Sequence, residues 1–385
     1  MIPHTASVQA ARGRHVVGGA GPAARVVASA LLLPPSTLSS ARLLYATAGA
    51  PGHDYPGHPE CAARVPAILE ALDTHGLTAR TDQVVQLTGF GGAERAALQL
   101  VHGEGYVAGL QRVSDKCADS GTTVEVEWAP TYVTGTTSSD ACLAAGAAIA
   151  LVDHVVAASQ QQHDPGAVPA GFAVCRPPGH HCLPREAMGF CIFGNVAVAA
   201  RHAQKQHGLQ RAFFESDPDV LFISSHQGGI YPSTGKLGEV GTGEGEGATI
   251  NLPLPGDSGH EAMLAAFDEV VAPAARRFRP DIILVSAGYD AHWRDPLAGL
   301  QFRSATFHEL GARAKALADE LSGGRLVMLL EGGYDLKALG ESVANTFLGV
   351  LGEGPADKFD PVLLREEPLE KVQAVLLEAR RIHEL

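Results

Sequence analysis

From residue 59 onward the apolar positions follow two alternating rhythms. "HPECAARVPAILEALDTHG" (58–76) reads as a helix that stops at Gly76, and "DACLAAGAAIALVDHVVAAS" (140–159) as a long helix capped by Asp140. The short apolar runs "GFAVC", "DVLFISS", "ATINLPL", "DIILVSAG" and "RLVMLLEGG" read as strands, with helical stretches near 194–208, 260–277, 304–322 and 336–351 between most of them. Alternation of this kind predicts an α/β fold with a mainly parallel sheet and helices on both faces. In open sheets of that type ligands sit beyond the carboxyl ends of the strands, so the polar residues just after each strand are the place to look.

Composition narrows the picture. A chain of 385 residues with 45% hydrophobic residues and 44 glycines can bury the core of one large domain or two small ones. The formal net charge of −13 argues against a nucleic-acid surface and mildly favours cationic or neutral substrates. No apolar run is expected to reach the length of a membrane span. The six cysteines are scattered, with no secreted-type framework, which suits buried thiols in a reducing compartment.

The first 48 residues differ from the rest. They contain Arg12, Arg14, Arg25 and Arg42 but no acid or lysine, and the first carboxylate is Asp54. That composition suits an organelle transit peptide, with a disordered tail as the alternative. The expected organisation is residues 1–48 as a transit segment or tail, 49–352 as the main domain, and 353–385 as a linker and helix. The expected destination is the chloroplast, with mitochondrion or cytoplasm as alternatives.

Four strand ends carry reactive groups. "GFAVC" leads into Arg176, two prolines, Gly179, His180 and His181; "VLFISS" ends at His226; "IILVSAG" ends at Tyr289, Asp290 and His292; "LVMLLEGG" ends at Tyr334 and Asp335. The histidines lie among Cys175, Cys182 and Cys191, but spacings of seven and nine are far from the short pairs of a structural zinc cluster. Histidines, an aspartate, a tyrosine and glycine-rich turns on one rim suit metal-assisted amide hydrolysis, which needs a base, a Lewis acid and an oxyanion donor.

The motifs "PGHPECAARV", "VHGEGYVAGL", "RPPGHH", "MGFC", "PSTG" followed by "GEG", "SAGYDAH", "DPLAGL" and "LEGGYDL" resemble, in order and sense, the histone deacetylase and acetylpolyamine amidohydrolase family over about residues 48–352. Within it the chain looks most like the class II type, and "APTYVT" with "SSHQGGIYPSTGK" is similar to an organellar plant and algal branch. The resemblance implies an arginase/deacetylase three-layer fold and a zinc cofactor. The implied substrate is an acetylated lysine of a protein or a small acetylated amine, with no direct binding of nucleic acid or membrane. It implies that His180 and His181 act as general base and acid, and that Asp290 is a zinc ligand. It also implies that Tyr334 is the oxyanion donor and that Gly189, Phe190 and Tyr231 line the substrate tunnel.

One family element has no counterpart. The family carries a strand and loop of the form Asp-x-Asp-x-His-His-Gly-Asn-Gly-Thr, whereas here "VAVAARHAQKQHGLQ" runs directly into "RAFFESDPDVLFISSHQ". Two of the three zinc ligands implied by the resemblance are thus expected to be absent, along with partners that orient the tandem histidines. Glu215, Asp217, His226 and His207 are the remaining candidates to rebuild a metal site. The loss should also leave a central strand missing from the sheet, which must close up or be destabilised. The expectation is a zinc-dependent deacetylase that is inactive or weak in this form, with a metal-free pseudoenzyme or regulatory binding subunit as the alternative.

Overall fold

The computed structural model describes residues 4–11, by their backbone, and residues 32–127, 130–209, 218–357 and 361–385. Its strands are β1 (His4–Ala11), β2 (Leu43–Ala48), β3 (Val84–Leu87), β4 (Val124–Glu125), β5 (Tyr132–Val133), β6 (Ala170–Cys175), β7 (Val220–Gln227), β8 (Thr249–Leu254), β9 (Ile282–Ala287) and β10 (Leu326–Leu330). The helices are α1 (Pro35–Ser40), α2 (Arg64–Thr74), α3 (Arg95–Leu98), α4 (Glu104–Ser120), α5 (Thr137–Gln161), α6 (Asn195–His207), α7 (His260–Ala266), α8 (Ala272–Phe278), α9 (Ser304–Leu321), α10 (Leu336–Leu351) and α11 (Leu369–His383). A single π-helical turn, Phe267–Val271, joins α7 to α8.

Eight strands form one sheet in the order β3-β2-β6-β10-β9-β1-β7-β8, and β4 pairs with β5 apart from it. Every pairing in the large sheet is parallel except those of β1. The strands β6, β9 and β10 are buried at every position because both faces are covered. In β2, Leu43 and Tyr45 enter one core with α2, α7, α9, α10 and α11, while Leu44 and Ala46 enter another with α1, α5 and α6. Strand β10 divides the same way, Leu326, Met328 and Leu330 on the first face, Val327 and Leu329 on the second.

Four expectations change. Asp140 does not cap the long helix: α5 starts at Thr137, and Asp140 sits in its first turn accepting a hydrogen bond from Thr136 Oγ1 at 2.6 Å. A carboxylate in the first turn of a helix is favoured by the helix dipole, so the residue type is right and the cap, at Thr136, lies four residues earlier. The same helix also overturns the expectation that no apolar run reaches membrane length. It has 25 residues and a mean hydropathy of 1.9 over its best window, but it is a core helix, with Ala144, Ala147, Leu151 and Val155 fully buried.

The third change concerns residues 32–48, placed by the sequence in a tail. Strand β2 pairs with β3 and β6 in the interior of the sheet, and Leu38 of α1 is buried, so the folded domain starts ahead of position 48. At the other end, α11 belongs to the same domain: Val372, Leu376 and Ala379 are buried in the first core. The last change concerns the gap in the sheet. Strands β7 and β9 neither close up nor face each other unpaired; β1 lies between them, antiparallel to both, with Ala11 opposite Val220 and Ile282. Glu215 and Asp217 lie outside the described residues.

Candidate active site

Because β6, β10 and β9 run parallel, their carboxyl ends open on one rim, and the loops after them meet there. The loop after β6 brings His180 and His181, whose rings lie 4.1 Å apart. The loop after β10 begins with Glu331, which is fully buried against them. Glu331 Oε2 accepts hydrogen bonds from the Gly179 amide (2.7 Å), the His180 amide (3.2 Å) and His180 Nδ1 (2.9 Å), and Oε1 accepts from Ser286 Oγ of β9 (3.0 Å). Burial pushes the Glu331 carboxyl up, but His180 and the surrounding donors outweigh it and hold it below its ordinary value. An ionised acceptor at Nδ1 fixes the His180 tautomer and leaves its basic lone pair on Nε2.

The sequence reading attached no role to Glu331, and expected the tandem histidines to lose their orienting partners. For His180 that expectation is corrected: the glutamate of "LEGGYDL" orients it from the opposite side of the rim. The only sequence signal was an acid directly after a fully apolar strand.

Tyr334 follows three residues later, and its hydroxyl is pushed well above 10, first by burial and then by the Asp290 carboxylate. The phenol is therefore neutral and keeps a proton to donate. Its placement depends on Arg64 of α2, which donates through Nε to the Gly333 carbonyl (2.7 Å) and through Nη2 to the Glu331 carbonyl, with its guanidinium 5.2 Å from the Tyr334 ring centre. The Tyr334 amide donates to Asp295 Oδ2 at 2.7 Å, and burial raises the Asp295 carboxyl to about 6.

Arg64 is tied in turn to Glu60 (3.1 Å), and Glu60 to Arg176 through Arg176 Nη2 (2.8 Å). Burial alone would raise the Glu60 carboxyl, but Arg176 and Arg64 bring it down to about 2. This buried cluster joins "PGHPECAARV" to "RPPGHH". Glu60 and Arg64 are four residues apart, but the chemical role of the cluster was not legible, since the bonds from Arg176 to Glu60 and from Arg64 to Gly333 span 116 and 269 residues.

Three aromatic residues converge beside the histidines. Phe190, Tyr231 and Tyr334 form one buried apolar cluster with Met188 and Leu297 against it. The Phe190 and Tyr334 ring centres are 5.8 Å apart, and Tyr231 stands edge-on to His181 at 5.2 Å. Gly189 has φ +56, and a Cβ there would lie 2.8 Å from His181 Cδ2, so glycine is required on both counts. Asp290 is fully buried beside Tyr334, and its Oδ2 would be 2.1 Å from a Cβ on Gly332.

Other sequence candidates do not join this group. Tyr289 points into the core, with its hydroxyl 3.1 Å from Thr346 Oγ1, and Asp335 caps α10 by accepting from the Ala338 amide (2.8 Å). His226 Nε2 donates to the Gly235 carbonyl at 2.9 Å and so ties down the "PSTG" loop. His207 ends α6, about 18 Å along the helix from Asn195 at the rim.

Members of the family this chain resembles are generally zinc-dependent, which makes the donor set the question. Among the described residues the possible ligands that gather at the rim are His180, Cys191 and Glu331. Glu331 is already saturated by four donors, and burial and Glu331 together hold the Cys191 thiol well above its ordinary value. A protonated thiol and a saturated carboxylate make poor ligands, so these three residues orient one another rather than fit an ion. Asp290 belongs to no group of three possible ligands among the described residues, so the residues described do not fit a complete zinc site.

Comparison with known proteins agrees with the motif reading. The profile of the Histone deacetylase domain matches residues 58–350. The chain is 50% identical over 365 residues to "Histone deacetylase 14, chloroplastic" of Arabidopsis thaliana, covering 90% of this chain and 86% of that protein. It is 51% identical over 375 residues to "Histone deacetylase 10, chloroplastic" of Oryza sativa subsp. japonica, covering 92% and 84%. The crystal structure of the HDA15 HD domain superposes with a TM-score of 0.73 at 28% identity, covering 89% of this chain and 96% of that one. With its arginase/deacetylase-type α/β sheet and motif-bearing rim, the chain belongs to the histone deacetylase family, in the branch that includes chloroplastic plant members.

Proposed function

We propose that the rim is built to hydrolyse the amide of an acetylated lysine or small acetylated amine, and that this form of the chain does so weakly or not at all. The observation that carries the first half is the His180–Glu331 pair, 2.9 Å apart, beside His181, Tyr334 and the Phe190–Tyr231 walls. In that arrangement His180 takes a proton from the attacking water, His181 returns one to the leaving amine, and Tyr334 donates to the carbonyl oxygen as charge builds on it. Phe190 and Tyr231 are the walls against which an extended acyl-lysine chain packs. Zinc, were a complete ligand set present to hold it, would supply the acidified water and the carbonyl polarisation that this reaction needs.

The second half rests on the absent Asp-x-Asp-x-His-His-Gly element, which leaves Asp290 as the one remaining family ligand, and on the failure of the described rim residues to gather around it. Import into the chloroplast is supported by the names of the plant relatives and by the acid-free, arginine-bearing N-terminus. The test is hydrolysis of an acetyl-lysine peptide with zinc added. The chain should stay at background, and inserting an Asp-x-Asp-x-His-His-Gly segment between Gln210 and Arg211 should recover turnover together with one more tightly bound zinc than the unmodified chain holds. Turnover by the unmodified chain would overturn the inactivity, and an inert inserted chain that does bind this additional zinc would overturn the assignment of the rim.

A further inference from the structure

Away from the rim, α5 and α6 pack against each other and bring three ligand-bearing side chains to one point. His202 Nε2 and His207 Nε2 both hydrogen-bond to the same oxygen, Asp153 Oδ1, at 2.6 and 2.7 Å, with ring centres 5.7 Å apart. Residues five apart on an α-helix project about 140° from one another, so these two histidines do not pair unaided. They converge because Asp153 reaches between them from the neighbouring helix, and because His207 sits on the last turn before Gly208. From the sequence, His207 was a candidate to rebuild the catalytic metal site; the structure gives it different partners, about 18 Å along α6 from the helix end at the rim.

The chemistry of this triad is that of a metal site. It offers two imidazole nitrogens and one carboxylate oxygen, all within 4.8 Å of one another, with side-chain exposures of 16, 20 and 20% that leave a path from solvent. Burial raises the Asp153 carboxyl, but hydrogen bonds from His202 and His207 outweigh it and bring it down to about 2, so it is ionised at neutral pH. An ion with bonds of about 2.0–2.2 Å in tetrahedral geometry needs its ligand atoms roughly 3.3 Å apart. The Nε2 to Oδ1 separations would have to widen by well under 1 Å, within reach of small side-chain rotations.

We infer that Asp153, His202 and His207 form a second metal site, separate from the active site, which binds a divalent transition ion of the zinc type and clamps the end of α6 to α5. Two imidazoles and a carboxylate suit zinc and cobalt rather than magnesium or calcium, which prefer all-oxygen sets. Three protein ligands leave a position for water.

The test uses the tag-free full chain carrying Asp290→Asn, so that zinc held at the rim is not counted. In equilibrium dialysis against zinc that protein should bind one equivalent. Adding His202→Gln, which keeps a donor to Asp153 but removes the ligand, or Asp153→Asn, should weaken that binding at least tenfold. The same variants should abolish the visible bands of bound cobalt and the rise in Tm with added zinc. Circular dichroism establishes that each variant is folded, and His207→Gln provides an independent route if either is not. No zinc bound by the Asp290→Asn chain, or undiminished binding in the folded variants, would overturn the site and leave only a hydrogen-bonded ion triad.

Discussion

The groups that define the rim are set by their immediate surroundings. Tyr334 is kept neutral by burial and by Asp290, so its hydroxyl is available at any physiological pH as a donor to developing negative charge. In the chain with the inserted ligand segment, Tyr334→Phe should lower kcat about 10²–10³-fold, the usual cost of removing one oxyanion donor. A kcat equal to that of the parent would take Tyr334 out of the reaction. Glu331 works through His180, and Gly332 allows Asp290 to lie where any side chain would collide with it.

Among the elements, β2 decides where the folded domain starts. It supplies two strand pairings and residues to both cores, so a cut after Ala48 would remove an interior strand along with the segment ahead of it. A mature protein formed by transit-peptide removal should therefore begin upstream of Pro35, and N-terminal sequencing of protein from the organelle checks this. A start after position 48 would contradict the place of β2, and an intact Met1 would exclude cleavage. Processing anywhere beyond Ala11 also removes β1, which re-exposes the facing edges of β7 and β9. An inserted ligand strand would compete with β1 for that slot.

Across the whole molecule, buried charge makes stability depend on pH. His53 and His102 are both brought down to about 4, chiefly by burial, from an ordinary value of 6.5. Folded, each binds fewer protons than the unfolded chain between those values, so stability falls as pH drops from about 6.5 to 4. Each histidine contributes at most about 3 kcal/mol at pH 7. Glu60, at about 2 against an ordinary 4.5, adds a further loss as pH falls through that lower window. Urea unfolding at pH 7, 5.5 and 4.5 should give a steadily falling free energy, with a shallower fall in a His102→Gln variant; a flat profile would show that these groups are not buried in the folded state.

Local pattern determined much of this protein. Apolar runs bounded by glycine became β6 to β10, the 3.6-residue rhythm became α2, α5, α6, α9 and α10, and the motifs at the strand ends marked His180, His181, Asp290 and Tyr334 with their family. These are properties of short segments, and short-range chemistry is enough to express them. Tertiary structure alone decided the rest. It alone made Glu331 the partner of His180, linked Arg64 to the Tyr334 loop, placed β1 between β7 and β9, and brought Asp153 to two histidines of another helix. Each of these joins groups 49 or more residues apart, and no local rhythm records a partner at that distance.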